Sequence, residues 1–221
     1  SKVIKNLLKN NRINSKIIKI DQKNDVEFDY KIKNEVLKNN NNLFNLKFVF
    51  EVVKIFRLNK NKSIDVINKF KNLPFRQEIL FNNKNLLIMN DSKSTSFSSS
   101  NEILKSFKNI YWIVGGLTKK GDKFILKNKF SKNIKAYIYG KDQSKFAKKL
   151  KNKIKFKKFK NISDILKKII IDTRKDNLKK NIIFSPSAAS FDQFRNFEER
   201  GKYFNSLVIK MNFIKKINDK R

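Results

Sequence analysis

Four short apolar runs, each ending in a turn rich in glycine, serine or other small polar residues, constrain this chain more than any other feature. They are Leu86–Met89 before Asn90-Asp91, Ile110–Val114 before Gly115-Gly116, Ala136–Tyr139 before Gly140, and Ile182–Phe184 before Ser185-Pro186. Unbroken apolar runs of this length suit strands that are covered on both faces. Helical patterns lie between them. Ser99 with Glu102 has the form of a capping box for a helix ending near Phe107, and Ser144–Leu150 is a second helix. Ser163 caps a third, Asp164–Ile171, and Asn196 with Glu199 caps a last one through Ile209. Strand, turn and helix in repeated order predict an α/β fold with a doubly wound, mostly parallel sheet.

The earlier part of the chain reads differently. Period-two patterning predicts two short strands, Lys16–Ile20 and Val26–Ile32, after an apolar run at Val3–Leu8. Lys38–Asn42 reads as a polar turn. Leu43–Leu58 is the clearest helix, with Leu43, Leu46, Phe50, Val53 and Phe56 at helical spacing. Ser63 is placed to cap a helix over Ile64–Lys71, with Asp65 in its first turn and Pro74 as its stop. Glu78–Phe81 and Leu86–Met89 read as a hairpin around Asn82-Asn83, and Ile154–Phe159 as an edge strand. The change of pattern puts a domain boundary between residues 1–73 and 74–221. A chain that opens on Ser1, in mid-pattern, reads as part of a longer protein.

Composition narrows the chemistry. A formal charge of +34 would suit a basic module that binds nucleic acid or another polyanion. The excess is lysine, however, spread through nearly every segment together with Asn, Ile and Phe, which reads as compositional bias and not as one basic face. No RNA-binding signature accompanies it, so no nucleic-acid partner is expected. Without Cys there is no disulfide framework; without His or Cys a zinc site is not expected, and a Ser-His or Cys-His nucleophile is excluded within this chain. No run approaches the roughly 20 apolar residues of a membrane helix, and no stretch reads as a secretory leader. The expectation is a cytoplasmic protein with no membrane partner, acting as a monomer.

In a parallel sheet the strand ends share one edge, and ligands gather there. Three of them carry chemistry. Asn90-Asp91-Ser92-Lys93-Ser94-Thr95 offers an acid, a lysine and a threonine at alternate positions, suited to phosphate and carboxylate groups, though a solvated polar turn would look similar. Gly115-Gly116 permits close backbone approach and precedes Lys119 and Lys120, each of which could also be one more surface lysine. Ser190, with Gln193 three residues on, reads as an N-cap or as a holder of a carboxylate. Phe191, Phe194 and Phe197 read first as core, with a ligand contact as the alternative.

Taken together, the Asp91–Thr95 turn, the Gly115-Gly116 turn with its lysines and Asp122, and above all Ser185-Pro-Ser-Ala-Ala-Ser-Phe-Asp-Gln-Phe-Arg-Asn-Phe-Glu-Glu-Arg-Gly201 resemble the C-terminal domain of the Mur ligase family. The likeness is greatest to its branch that joins D-glutamate to UDP-N-acetylmuramoyl-L-alanine. Upstream, Asn41-Asn42-Leu43-Phe44-Asn45 resembles the family's His-Asn-x-x-Asn motif with Asn41 replacing the His. Pro74-Phe75-Arg76 resembles the segment with its ATP-contacting arginine. The likeness runs from about Asn41 to Val208 and is vague before it. It implies a Rossmann-like C-terminal domain over 74–221, preceded by the end of a central ATP-binding α/β domain over 1–73.

Residue by residue, the resemblance implies Asn42 and Asn45 beside adenine, Arg76 on the ATP phosphates and Asp91 on the ribose hydroxyls. Lys93 would be the catalytic residue, neutralising charge around the transferring phosphoryl group. Thr95, Lys119, Ser190 and Phe197 would hold D-glutamate, with Phe191 lining the pocket and Lys120 able to take the place of Lys119. ATP and Mg²⁺ are the implied cofactors, with the metal ligands upstream of the matched portion. No Gly-x-Gly-Lys-Ser/Thr phosphate loop exists in this chain. The implied reaction is amide formation through an acyl phosphate in the synthesis of a peptidoglycan precursor.

Overall fold

In a computed structural model of the chain, the residues described are 17–18, 20, 32–34, 37, 40–70, 73–174 and 178–218. They fall into two compact units, Ser1–Lys71 and Asn72–Arg221. The two strands expected at Lys16–Ile20 and Val26–Ile32, and the run at Val3–Leu8, lie almost wholly outside the described residues.

In the first unit, helix α1 (Asn40–Ile55) and helix α2 (Lys60–Lys69) bury Leu46, Phe50, Ile64 and Ile67 together with Ile32 and Leu37. α1 begins at Asn40, inside the stretch expected to be a turn. α2 begins four residues before the expected Ile64. Its cap is Asn59, whose side-chain oxygen accepts the Lys62 N–H at 3.0 Å. The reason is the connection: Arg57 is left-handed at φ 50°, so the chain reverses at once and Asn59 is already at the helix mouth. Ser63 sits inside the helix and donates back to the Asn59 carbonyl at 2.9 Å. Asp65 is therefore beyond the first turn, and α2 ends at Phe70, before Pro74 is reached. The Asn34 amide finishes it, donating to the carbonyls of Ile67 and Phe70 at 3.1 and 2.7 Å.

The second unit is built on a six-stranded sheet. Its strands are β1 (Glu78–Asn82), β2 (Leu86–Asn90), β3 (Ile110–Gly115), β4 (Ile134–Tyr139), β5 (Lys155–Lys158) and β6 (Lys180–Phe184), in the order β1-β2-β6-β3-β4-β5. β1 is antiparallel to β2, and every other pairing is parallel. Asn83 closes the hairpin, its side chain accepting the N–H groups of Asn85 and Leu86. β2, β3 and β6 are buried along their whole length. That is why their sequences do not alternate: the two faces are both covered.

Alternate residues feed two cores. Leu86, Ile88, Tyr111, Ile113, Tyr137, Tyr139, Ile182 and Phe184 face helices α6 (Ile162–Thr173), α7 (Phe197–Lys210) and α8 (Phe213–Asn218). Leu87, Met89, Trp112, Val114, Ala136, Ile138 and Ile183 face α3 (Phe97–Ser106) and α5 (Gln143–Leu150). Phe97, Trp112, Phe124 and Phe146 form an aromatic knot there, with centroids 5.3–6.3 Å apart. Each fully buried side chain of this size contributes about 1.5–3 kcal/mol, so the apolar runs decide the fold. The doubly wound, mostly parallel sheet expected from the sequence is the sheet observed.

Two expected caps move. α3 starts from Ser96, not Ser99, with a capping box in which the Ser99 hydroxyl stands where Glu or Gln is usual. α6 starts from Asn161, whose side chain accepts the Asp164 N–H at 2.9 Å, and Ser163 is already the second residue of the helix. Asn196 caps α7 as expected, accepting from Glu199 N–H at 2.7 Å. The short helix α4 (Asn128–Ser131) and α8 were not foreseen. Among the described residues, no helix is long and apolar enough to cross a membrane. Exposed lysines occur on all eight of these helices, among them Lys54, Lys62, Lys105, Lys129, Lys148, Lys167, Lys202 and Lys216, and in the second unit those helices cover both faces of the sheet.

Candidate active site

β6 lies between β2 and β3, so the turns that follow these three strands are neighbours on one edge of the sheet. Hydrogen bonds join them. The Asp91 N–H donates to the Phe184 carbonyl at 2.7 Å, and the Gly115 N–H to the Pro186 carbonyl at 3.0 Å. Leu117 and Ala189 exchange a pair of backbone bonds at 3.0 and 3.1 Å. The two glycines owe their presence to this crowding. A Cβ on Gly115 would collide with the backbone of Tyr139, and one on Gly116 with the Ala189 carbonyl. Their close approach is to neighbouring backbone.

Asp91 sits at the centre of the edge, 6% exposed. One carboxylate oxygen accepts from the Ser185 hydroxyl at 2.8 Å, the other from the Gln77 N–H at 3.3 Å. Burial pushes its carboxyl up to about 6, and the Ser185 bond, the Gln77 N–H and the charges of Arg76 and Arg200 hold it from rising further. A buried, perturbed carboxylate beside two arginines at a strand end is the profile of a functional group. Behind it runs a chain of hydroxyls. Ser100 Oγ lies 2.7 Å from Ser185 Oγ, 2.5 Å from Ser187 Oγ and 2.6 Å from Ser94 Oγ.

Arg200 is the residue that sequence reasoning missed. It is fully buried on α7, and all three of its hydrogen bonds go to neutral oxygens. Nε donates to Ser92 Oγ at 3.0 Å, Nη2 to the Ser92 carbonyl at 2.7 Å and Nη1 to the Ala188 carbonyl at 3.0 Å. It thereby ties the turn after β2 to the turn after β6. The Ser92 hydroxyl in turn donates to the Phe197 carbonyl at 2.9 Å. The only sequence signal was a position, an arginine one helical turn inside a capped helix.

The Lys93 ammonium lies 3.9 Å from the centroid of the Phe197 ring, so these two candidate residues meet. Ser190 is buried, and its carbonyl accepts the N–H groups of Gln193 and Phe194. It opens a turn and not the helix, which starts at Phe197. Arg76 is exposed, one residue before the Gln77 N–H that reaches Asp91. Thr95, Lys119 and Lys120 are exposed. Phe191 is 71% exposed, so it is not core; Phe194 and Phe197 are half-buried. Asn42 and Asn45 are in the other unit, one turn apart on α1, the first half-buried and the second exposed.

Among the described residues, no group of three or more His, Cys, Asp or Glu could hold a metal ion. What this edge offers is a cluster of hydroxyls and N–H groups around one buried acid, with Lys93 and Arg76 beside it. That set is suited to anions and to hydroxylated ligands.

No family model matches the chain. Relatives do. A UDP-N-acetylmuramoylalanine–D-glutamate ligase of Rickettsia felis is 37% identical over 189 residues, covering 85% of this chain and 42% of the relative. A ligase of the same name from the Wolbachia of Brugia malayi is 38% identical over 160 residues, 72% of this chain and 32% of its own length. Among solved structures, the MurF ligase of Thermotoga maritima in complex with ADP aligns with a TM-score of 0.49 at 17% identity, over 77% of this chain and 39% of that one. This last likeness is slight, and the fold rests on the strands described above. The chain spans about two-fifths of the length of the curated relatives it matches, and over that span it belongs to the Mur ligase family.

Proposed function

We propose that this chain forms the D-glutamate-holding and nucleotide-closing portion of an ATP-dependent ligase that joins D-glutamate to UDP-N-acetylmuramoyl-L-alanine. The observation that carries the reading is the meeting of Asp91, Lys93, Phe197 and the Ser185–Ser190 turn at one edge of the sheet, beside Arg76. Asp91 retains a free lone pair on each oxygen for ribose hydroxyls. Arg76 takes the phosphates of ATP. Lys93 steadies the charge that develops as the γ-phosphoryl group passes to the alanyl carboxylate. The D-glutamate amine then attacks the acyl phosphate: a C–N bond forms, the C–O bond breaks and phosphate leaves.

A dianionic amino acid accounts for a lysine, hydroxyls and backbone donors gathered together, with Thr95, Lys119, Ser190 and Phe197 for its carboxylates and Phe191 lining the pocket. Magnesium, brought with ATP, takes its ligands from outside the described residues. Such substrates put the reaction in the cytoplasm. The test is a chimera in which this chain replaces the matching part of the Rickettsia felis ligase. We expect phosphate release that depends on D-glutamate, abolished by Lys93→Ala. Lys119→Ala should raise the D-glutamate KM and leave kcat nearly unchanged. A folded chimera that hydrolyses ATP without responding to D-glutamate, or one indifferent to both substitutions, would contradict the reading.

A further inference from the structure

Phe75 has no part in that chemistry, yet its backbone is strained. The Arg76 N–H donates to the Leu73 carbonyl at 3.2 Å, which closes a four-residue turn with Pro74 second and Phe75 third. Phe75 has φ 62°. The third position of a turn with positive φ belongs to glycine or asparagine, and a bulky side chain there is an outlier. Gln77, on the other side of Arg76, is also left-handed at φ 49°. Such conformations persist only where the surroundings over-determine them, and they cluster at functional sites.

The surroundings here are identifiable. The Phe75 ring is buried and seated against the bare Cα of Gly201 in α7, where any Cβ would overlap its Cδ1 and Cγ atoms. The Phe75 N–H donates to a Glu78 carboxylate oxygen at 3.1 Å. Its carbonyl accepts the Lys93 N–H at 2.9 Å, so the same residue also touches the turn that carries Lys93. Glycine at 201 is not required by φ; it is required by the ring.

We propose that Phe75 is a positioning residue: its ring, plugged against Gly201, fixes residues 74–77 so that Arg76 and the Gln77 N–H are held against Asp91. Four groups act on that carboxylate. They are Arg76 and the Gln77 N–H from this turn, the Ser185 hydroxyl from the end of β6, and Arg200 from α7. The first two lie on the turn that the plug fixes, and the last two come from other elements. The assignment of Arg76 to nucleotide phosphates rests on the proposed function; the pull of its charge on Asp91 does not.

The experiment follows the Asp91 carboxyl carbon by NMR through a pH titration of the 221-residue chain, with no nucleotide added. The unaltered chain should titrate near 6. In Gly201→Ala the new methyl expels the ring, and the midpoint should rise on the order of one pH unit as an N–H and a guanidinium withdraw. Phe75→Ala should raise it similarly, and Phe75→Leu, which keeps an apolar plug, should stay near the unaltered value. An unchanged midpoint in Gly201→Ala overturns the proposal, the more so if its Tm rises, as alanine in an unobstructed helix would cause. Should Gly201→Ala fail to fold, an unchanged midpoint in Phe75→Ala overturns it alone. Either failure leaves the ligase reading standing, because no ligand enters the measurement.

Discussion

Asp91 is held at a cost that its neighbours offset only in part. Its carboxyl titrates near 6 against 3.8 for a free aspartate, because burial outweighs the Ser185 and Gln77 donors and the two arginines. The folded chain therefore binds this proton more tightly than the unfolded one does. Between pH 4 and 6 the folded state holds more protons, so stability falls as pH rises through that window and levels off above it. A carboxyl raised this far loses about 3 kcal/mol of stability across the window. At Asp142 and Asp172 burial is outweighed by donors, Lys145 and Thr118 at one and Lys168 and Tyr137 at the other, so both are pulled down and act below pH 4. Urea unfolding across pH 4–7 should show the decline, and Asp91→Asn should flatten it; an unaltered slope would refute the burial argument. Asp91 and Lys93 draw attention in the sequence because they stand just past the point where an apolar run breaks into polar residues. Arg200 and Phe75 do not. A buried arginine reads as a surface charge until the carbonyls it serves are known, and the Phe75–Gly201 contact joins residues 126 apart in the chain.

At the scale of elements, strands were easier to read than helix starts. β2, β3 and the second half of β6 announce themselves by runs of apolar residues, since helices cover both faces. Caps depend on which of several Ser or Asn residues the preceding chain delivers to the helix mouth. Ser96, Ser98, Ser99 and Ser100 compete for α3, and the Asp122 carboxylate accepting the Phe97 N–H at 2.7 Å helps choose Ser96. The observed caps carry a consequence. Asn161→Ala and Ser96→Ala should each cost about 1 kcal/mol, and Ser163→Ala less than about 0.5 kcal/mol. Denaturant midpoints of the three variants check this; equal losses at Asn161 and Ser163 would return the cap to the expected place.

For the whole molecule, the central claim is that corners distant in sequence form one place for a small dicarboxylic amino acid. The sheet order was not legible, because nothing local says that β6, last in the chain, inserts between β2 and β3. That insertion is what brings Ser185 to Asp91 and Ala189 to Leu117. The direct measurement is the ¹H–¹⁵N spectrum of the chain as D-glutamate is added, with L-glutamate as the control. Saturable shifts at Thr95, Lys119, Ser190 and Phe197 with the D-enantiomer alone are expected. Silence at those amides, or the same response to both enantiomers, would contradict the account.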